Sequence, residues 1–217
     1  MTLTAHLYWS FRSPYSYLGT KHYRKLTEQY DLDIKVKPVY PIAIRNPGFF
    51  EEISPLWIPY LLQDCRRVAE YRNLNFNWPS PDPVIMNIET REISKDQPYI
   101  YRLTRLGILA AQQGKGMAFI DEVSNALWGE RVQNWHLPEN FAPIVARAEL
   151  DLATLEGELS GHEEELDAVI ATHQDELEAA GHWGVPTLVF DGEPFFGQDR
   201  IDMAVWRMKQ KGLQERD

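Results

Sequence analysis

The chain has 217 residues, 44% of them hydrophobic and 12% aromatic, with 22 basic against 32 acidic side chains and a formal net charge of −10. That length suits one domain, or one domain carrying an insertion, with enough apolar material for a core. The acidic balance argues against a nucleic-acid partner. No apolar run is long enough to span a membrane, and the single cysteine, Cys65, can form neither an internal disulfide nor a cysteine-built zinc site.

The opening "MTLTAHLYWS" lacks the basic-then-apolar signature of a secretory signal, so a cytoplasmic protein is expected. Residues 4–10, "TAHLYWS", read as a short strand. From Ser13 to about Tyr30, the positions Tyr15, Leu18, Tyr23, Leu26 and Tyr30 recur at helical spacing. In 32–40, Leu32, Ile34 and Val36 alternate with Asp33, Lys35 and Lys37, the period of a half-buried strand. The chain therefore opens β-α-β, and a parallel strand pair is expected.

Pro41, Pro47, Pro55 and Pro59 make the next stretch read as loop, followed by an amphipathic helix over 60–74. Residues 75–98 carry several prolines and no sustained period, which predicts a long loop. Helices are expected over 99–113, 117–129 and 138–157, and an acidic one over 162–181 with Gly181 at its C-cap. "VPTLVFDGEPFFG" reads as a β-hairpin turning at Asp191-Gly192, and "QDRIDMAVWRMKQKG" as a closing helix. The two ends together make a small mixed sheet, with the helical middle as an insertion.

Three places carry candidate chemistry. Ser13-Pro14 is a strong helix start, because serine accepts from the exposed amides of the first turn and proline has no amide to leave unpaired. The same terminus favours negative charge and would stabilise a thiolate. With no cysteine there, such a thiolate would have to arrive with a ligand. Val185-Pro186 opens the apolar run after "HWG". It is either a plain strand boundary or a cis peptide that turns the Val185 backbone outward toward an extended, peptide-like ligand. In "FFGQDRID", Gln198 or Asp199 either caps the last helix, or that helix start binds a carboxylate with help from Arg200.

The histidines form no metal motif: "HEEEL" at 162 places leucine where H-E-x-x-H needs its second histidine. Cys65 sits in amphipathic spacing and reads as a small buried apolar residue. No serine-hydrolase elbow, phosphate loop or dinucleotide fingerprint is present.

In combination, "FRSPYSYLG", "RNPG", "ALWGE" and "GVPTLVFDGEPFFGQDRID" follow the order of one family. The chain resembles the 2-hydroxychromene-2-carboxylate isomerases and the related kappa-class glutathione transferases. The resemblance implies an α/β, thioredoxin-like fold with an inserted all-helical domain like that of DsbA. Residues 1–43 with 182–217 would form the thioredoxin-like part and 44–181 the insertion. It further implies glutathione as cofactor, its sulfur beside Ser13 and its cysteinyl backbone paired with Val185 ahead of a cis Pro186. The γ-glutamyl end would lie near Gln198, Asp199 and Arg200, and Asn46 matches an asparagine of the family's active-site loop. A homodimer is implied, along with a small-molecule substrate: an unsaturated carboxylate isomerised by reversible thiolate addition, or alternatively an electrophile conjugated to glutathione as in the kappa-class transferases. A non-catalytic thioredoxin-fold binding module is a further alternative. Where the family usually carries an acidic residue at the end of the first strand, this chain has "WSF".

Overall fold

Strand β1 (Leu3–Trp9) runs into helix α1 (Pro14–Gln29) and returns as β2 (Leu32–Pro38). The computed structural model describes residues 2–87, 90 and 92–216; residues 1, 88, 89, 91 and 217 lie outside the described set, including three of the expected 75–98 loop. β1 and β2 pair in parallel from Leu3↔Leu32 to Trp9↔Pro38. The alternation legible in β2 holds: Leu32, Ile34 and Val36 are buried, and Lys35 is exposed.

Between β2 and the hairpin lie α2 (Ile42–Arg45), α3 (Phe49–Glu52), α4 (Trp57–Tyr71), α5 (Ile100–Gln112), α6 (Gly116–Ser124), α7 (Pro138–Arg147), α8 (Leu152–Leu159) and α9 (Glu163–Ala179). The chain then forms β3 (Thr187–Phe190), β4 (Glu193–Phe196) and α10 (Ile201–Gln210). The sheet order is β2-β1-β3-β4, with β3 antiparallel to both β1 and β4. Asp191 at φ 51° and Gly192 at φ 78° make the hairpin turn, which needs two consecutive positive φ angles to match the strand twist.

β1 is flanked on both sides and supplies the centre of the core. Leu7, Trp9 and Phe11 are fully buried; side chains like Leu7 and Phe11 each contribute about 1.5–3 kcal/mol on burial. The opposite face is closed by α9, where Leu177 packs with Tyr8 and Val39. Glu176 on that helix bonds both Lys37 and the Tyr8 hydroxyl.

The helical middle departs from expectation in four places. The stretch 41–59, expected as loop, holds α2 and α3, and α4 begins at Trp57 rather than 60. Pro59 does not prevent this, because the third residue of a helix has no intrahelical acceptor to lose. The helix expected over 117–129 ends as α6 at Ser124 and continues as a π-helical turn, Asn125–Gly129, closed by Glu130 N–H donating to Asn125 O at 2.7 Å. The helix expected over 138–157 is two, α7 and α8: Glu149 takes φ 59°, and Asp151 restarts the chain by capping Thr154 N–H at 2.8 Å. Residues 75–98 contain no helix or extended strand among those described, but they are tied down. Asn77 N–H donates to Trp128 O, Trp135 Nε1 to Pro81 O, and the buried Gln97 bonds Ile85 at both N–H and C=O.

The π-helical turn also steers the β1–α1 link. Its Trp128, fully buried, donates from Nε1 to Phe11 O at 3.1 Å. Phe11 lies two residues before Ser13.

Candidate active site

The start of α1 is built by Ser13 and Pro14. Ser13 takes an extended backbone (φ −102°, ψ 114°), and its Oγ accepts from Ser16 N–H at 3.2 Å, so it is the N-cap with Pro14 as the first helical residue. The same oxygen donates its proton to Val185 O, also at 3.2 Å. Val185 precedes Pro186, and the peptide between them is cis. Cap and contact are thus made by one hydroxyl, half-buried at the wall of a cavity of about 740 Å³, within the usual range for small-molecule sites.

The walls of that cavity are largely apolar and include the aromatic rings of Phe49, Phe50, Trp57, Trp78, Trp183 and Phe196. Phe49 is the hub on one side, meeting Phe50 at 5.3 Å, Trp57 at 6.1 Å and Trp183 at 5.7 Å between ring centroids. The short helix α3, which holds Phe49 and Phe50, and the first turn of α4 therefore bring their rings together on one side of the cavity.

Three arginines reach the same cavity. Arg12 is neutralised: Asp82 takes its Nε at 2.5 Å and Nη2 at 2.8 Å, and the guanidinium lies 4.4 Å over Trp78. Trp78 Nε1 donates to the same carboxylate at 3.0 Å, which fastens the 75–98 segment to the residue before Ser13. Arg45 makes no ion pair among the described residues, and Glu178 acts on it only from further off. Its Nε donates to Tyr40 O and its Nη2 to Trp183 O, both at 2.8 Å, and burial pushes its pKa down. Arg66 is exposed at the edge and makes no ion pair among the described residues.

Two other polar groups on the wall are constrained. Tyr15 donates to Asp64 at 2.7 Å, and burial followed by that bond raises its pKa, so its hydroxyl stays protonated. His182 Nδ1 accepts Gly184 N–H at 2.8 Å. Cys65, behind Tyr15 on α4, is fully buried, and burial pushes its thiol up to about 12. It is a core residue, as its spacing predicts.

Of the residues singled out from sequence, Ser13 and Val185 meet on this wall. Pro186 is buried just behind it, and Pro186 O accepts Gly197 N–H at 2.8 Å, which carries the 197–200 segment alongside. Gln198 is buried, and its carbonyl is held by Arg72 Nη2 at 2.7 Å. Asp199 and Arg200 are exposed and paired with each other at 2.7 Å. Neither Gln198 nor Asp199 caps α10, whose start makes no side-chain cap bond. Asn46 ends α2 with its side chain exposed, next to Arg45. Asn46, Pro186, Gln198, Asp199 and Arg200 do not line the cavity itself. Sequence reading missed Arg45, Arg12 and His182. The signal present was only local, in "IRNPG", "FRSP" and "HWGVP".

The family model described as a DSBA-like thioredoxin domain matches residues 4–209. Over 203 residues, 90% of this chain and 89% of the relative, the chain is 25% identical to 2-hydroxychromene-2-carboxylate isomerase of Pseudomonas putida. A solved 2-hydroxychromene-2-carboxylate isomerase superposes with a TM-score of 0.72 at 21% identity, covering 96% of this chain and 95% of the other. The cytosolic disulfide reductase DsbM from Pseudomonas aeruginosa, solved with GSH, matches at TM-score 0.59 and 16% identity, covering 96% and 100%. The α/β fold with a helical insertion, expected from the sequence, is the fold of these proteins.

Proposed function

The chain belongs to the DSBA-like thioredoxin family, and because its first helix starts with serine and not cysteine, we propose that it is a glutathione-dependent isomerase of an unsaturated aromatic carboxylate. The observation that carries this reading is the meeting of Ser13 Oγ and Val185 O, 3.2 Å apart, on the wall of an aromatic cavity. A disulfide exchanger needs a reactive thiol of its own at such a place, and the chain's one cysteine is buried with its pKa raised.

The residues present fit a bound thiol tripeptide. The Ser13 hydroxyl spends its proton on a 3.2 Å bond to a carbonyl, long enough to be given up for a charge-assisted bond to a sulfur anion. The uncompensated start of α1, with no acidic residue in its first turn, favours negative charge at that spot. Val185, at the mouth of β3, offers its backbone to an extended peptide. Asn46, Gln198, Asp199 and Arg200 stand nearby as the polar groups for its outer ends, with Pro186 shaping the turn between. When bound, the thiol would supply a nucleophile that adds reversibly to a conjugated carbon–carbon double bond and so frees rotation about it.

The rest of the work falls to this chain. The aromatic walls hold the ring and exclude water, which strengthens every electrostatic contact inside. Arg45, partly buried and in hydrogen-bond contact with no carboxylate among the described residues (Glu178 acts on it only from a distance), is the anchor for a substrate carboxylate, since its two hydrogen bonds are to neutral carbonyls.

The test has two arms. Millimolar glutathione should raise the melting temperature, and 2-hydroxychromene-2-carboxylate should isomerise without loss of thiol. No thermal shift and no turnover would overturn the reading. Stoichiometric loss of glutathione would make the protein a transferase instead.

A further inference from the structure

His182 stands in the same cavity as Ser13, and its ring is held on three sides. It stacks on Phe196 with centroids 4.0 Å apart and a tilt of 20°, and lies parallel to Trp183 at 5.7 Å and 13°. The third constraint decides its chemistry. Gly184 N–H donates to Nδ1 at 2.8 Å, and a backbone N–H can only donate, so Nδ1 carries no proton and the hydrogen sits on Nε2. Nε2 makes no protein hydrogen bond among the described residues. Protonating the ring would set one N–H against another at Nδ1. Burial acts in the same direction and lowers its pKa.

The clamp leaves no slack. A Cβ at Gly184 would lie 2.5 Å from Phe196 Cε2 and 2.9 Å from His182 Cε1, so only glycine allows the amide to approach the ring this closely. The neighbouring residue adds a charge: Trp183 O accepts from Arg45 Nη2, so a cation is tied to the peptide immediately beside His182. A cation hydrogen-bonded to the residue beside His182, and a neutral N–H donor on His182 itself, suit a carboxylate with an oxygen on the next carbon, as in a 2-oxo acid.

We propose that His182 is a catalytic residue that donates a hydrogen bond from Nε2–H to the substrate oxygen next to the carboxylate, as that oxygen gains negative charge. This rests on the isomerase reading above. The ring stays neutral throughout, and no proton is transferred. A neutral donor fixed in advance stabilises developing charge without having to reorganise. Ser13 serves the sulfur and His182 the oxygen, so the two donors act at opposite ends of the reacting system.

Three measurements decide it. In ¹⁵N-histidine NMR of the whole protein, His182 should show a bare Nδ1 and a protonated Nε2, and phenylpyruvate (a 2-oxo acid without the conjugated double bond) should move the Nε2–H proton downfield. His182→Phe keeps the stacked ring and removes both nitrogens. It should lower kcat by about a hundredfold while leaving glutathione binding unchanged. His182→Gln, which restores a donor near Nε2, should recover at least tenfold of that loss. An Nε2–H resonance that ignores phenylpyruvate, or a His182→Phe enzyme as fast as the parent, overturns the proposal. Failure of the isomerase reading looks different, because the unsubstituted protein would then neither bind glutathione nor turn over. If His182→Phe does not fold, the NMR result and His182→Gln decide.

Discussion

The hydroxyl of Ser13 donates to the carbonyl of Val185 at 3.2 Å while accepting from Ser16 N–H at the same distance. One side chain thus caps a helix and spans 172 positions of sequence to the start of a strand. Ser13→Ala separates the two roles. Loss of the cap should cost about 0.5–2 kcal/mol in urea unfolding. Loss of a hydrogen bond to a charged sulfur, worth about 1.5–3 kcal/mol, should lower turnover by roughly ten- to a hundredfold with glutathione still bound. Turnover equal to the parent's would reduce Ser13 to a cap.

Arg45 should reveal itself in KM. Removing a charged anchor of the substrate carboxylate by Arg45→Ala is expected to raise KM at least tenfold, with a smaller change in kcat. Arg45→Lys keeps the charge but loses the fork that reaches both Tyr40 O and Trp183 O, so it should fall between the two. Steady-state kinetics with the carboxylate substrate, against an uncharged ester of it, is the check: the ester should be indifferent to the substitution.

Asp82 holds Arg12, Trp78 and the Val84 amide at once. With only 14% of the Arg12 side chain exposed, Asp82→Ala strands a largely buried cation, and the expected cost is about 2–3 kcal/mol. Arg12→Ala/Asp82→Ala should be less damaging than the sum of the single changes, because the stranded charge is gone. A double-mutant cycle by urea unfolding gives that coupling directly.

Stability should fall as the solution is made acidic, starting near neutrality. His6, His22, His173 and His182 all have pKa values lowered from 6.5, chiefly by burial. The unfolded chain then binds protons that the folded chain refuses. Their contribution is complete above about pH 6.5 and is lost as pH falls through that value toward the depressed folded pKa. At lower pH the carboxylates follow. Burial opposes ionisation of Asp167, but its bonds from Arg105 and Tyr40 outweigh it and hold the group below its usual range. For Glu176, burial is likewise outweighed by Lys37 and Tyr8. His173 donates from Nδ1 to Pro38 O at 3.1 Å, and His173→Gln should flatten part of the slope that sets in as pH falls below about 6.5 in urea titrations. A slope unchanged by that substitution would exclude His173 as a source.

The ends of the chain were readable because their signals are local. Period two in 32–38, serine-proline before a helical run, and aspartate-glycine between apolar stretches each act over a few residues. Leu150, Leu152 and Leu155 prolong an apolar rhythm through the break at 148–151, so periodicity alone runs the two helices together. The cue against continuity was Asp151, a good cap standing before another apolar run. The prolines between 41 and 59 break helices less than their number suggests, since Pro59 in a first turn removes no bond. Half of the wall contact between Ser13 and Val185 was visible, as two separate motifs. Arg45 on Trp183 O and Arg12 on Asp82 were not, because each joins segments whose approach only the packed helices decide.

The register of β1 has a consequence for how the protein is made. His6, Leu7 and Tyr8 must pair with Val189, Leu188 and Thr187, which are synthesised long after them. Until then the growing chain can offer only the parallel pair β1–β2, with one long apolar edge of β1 unpaired, the kind of edge that invites association between chains. Slow translation or early arrest would therefore yield a chain with most of its helices and an open sheet. Val185 arrives with that same segment, so the sheet and the contact between Ser13 and Val185 are completed together.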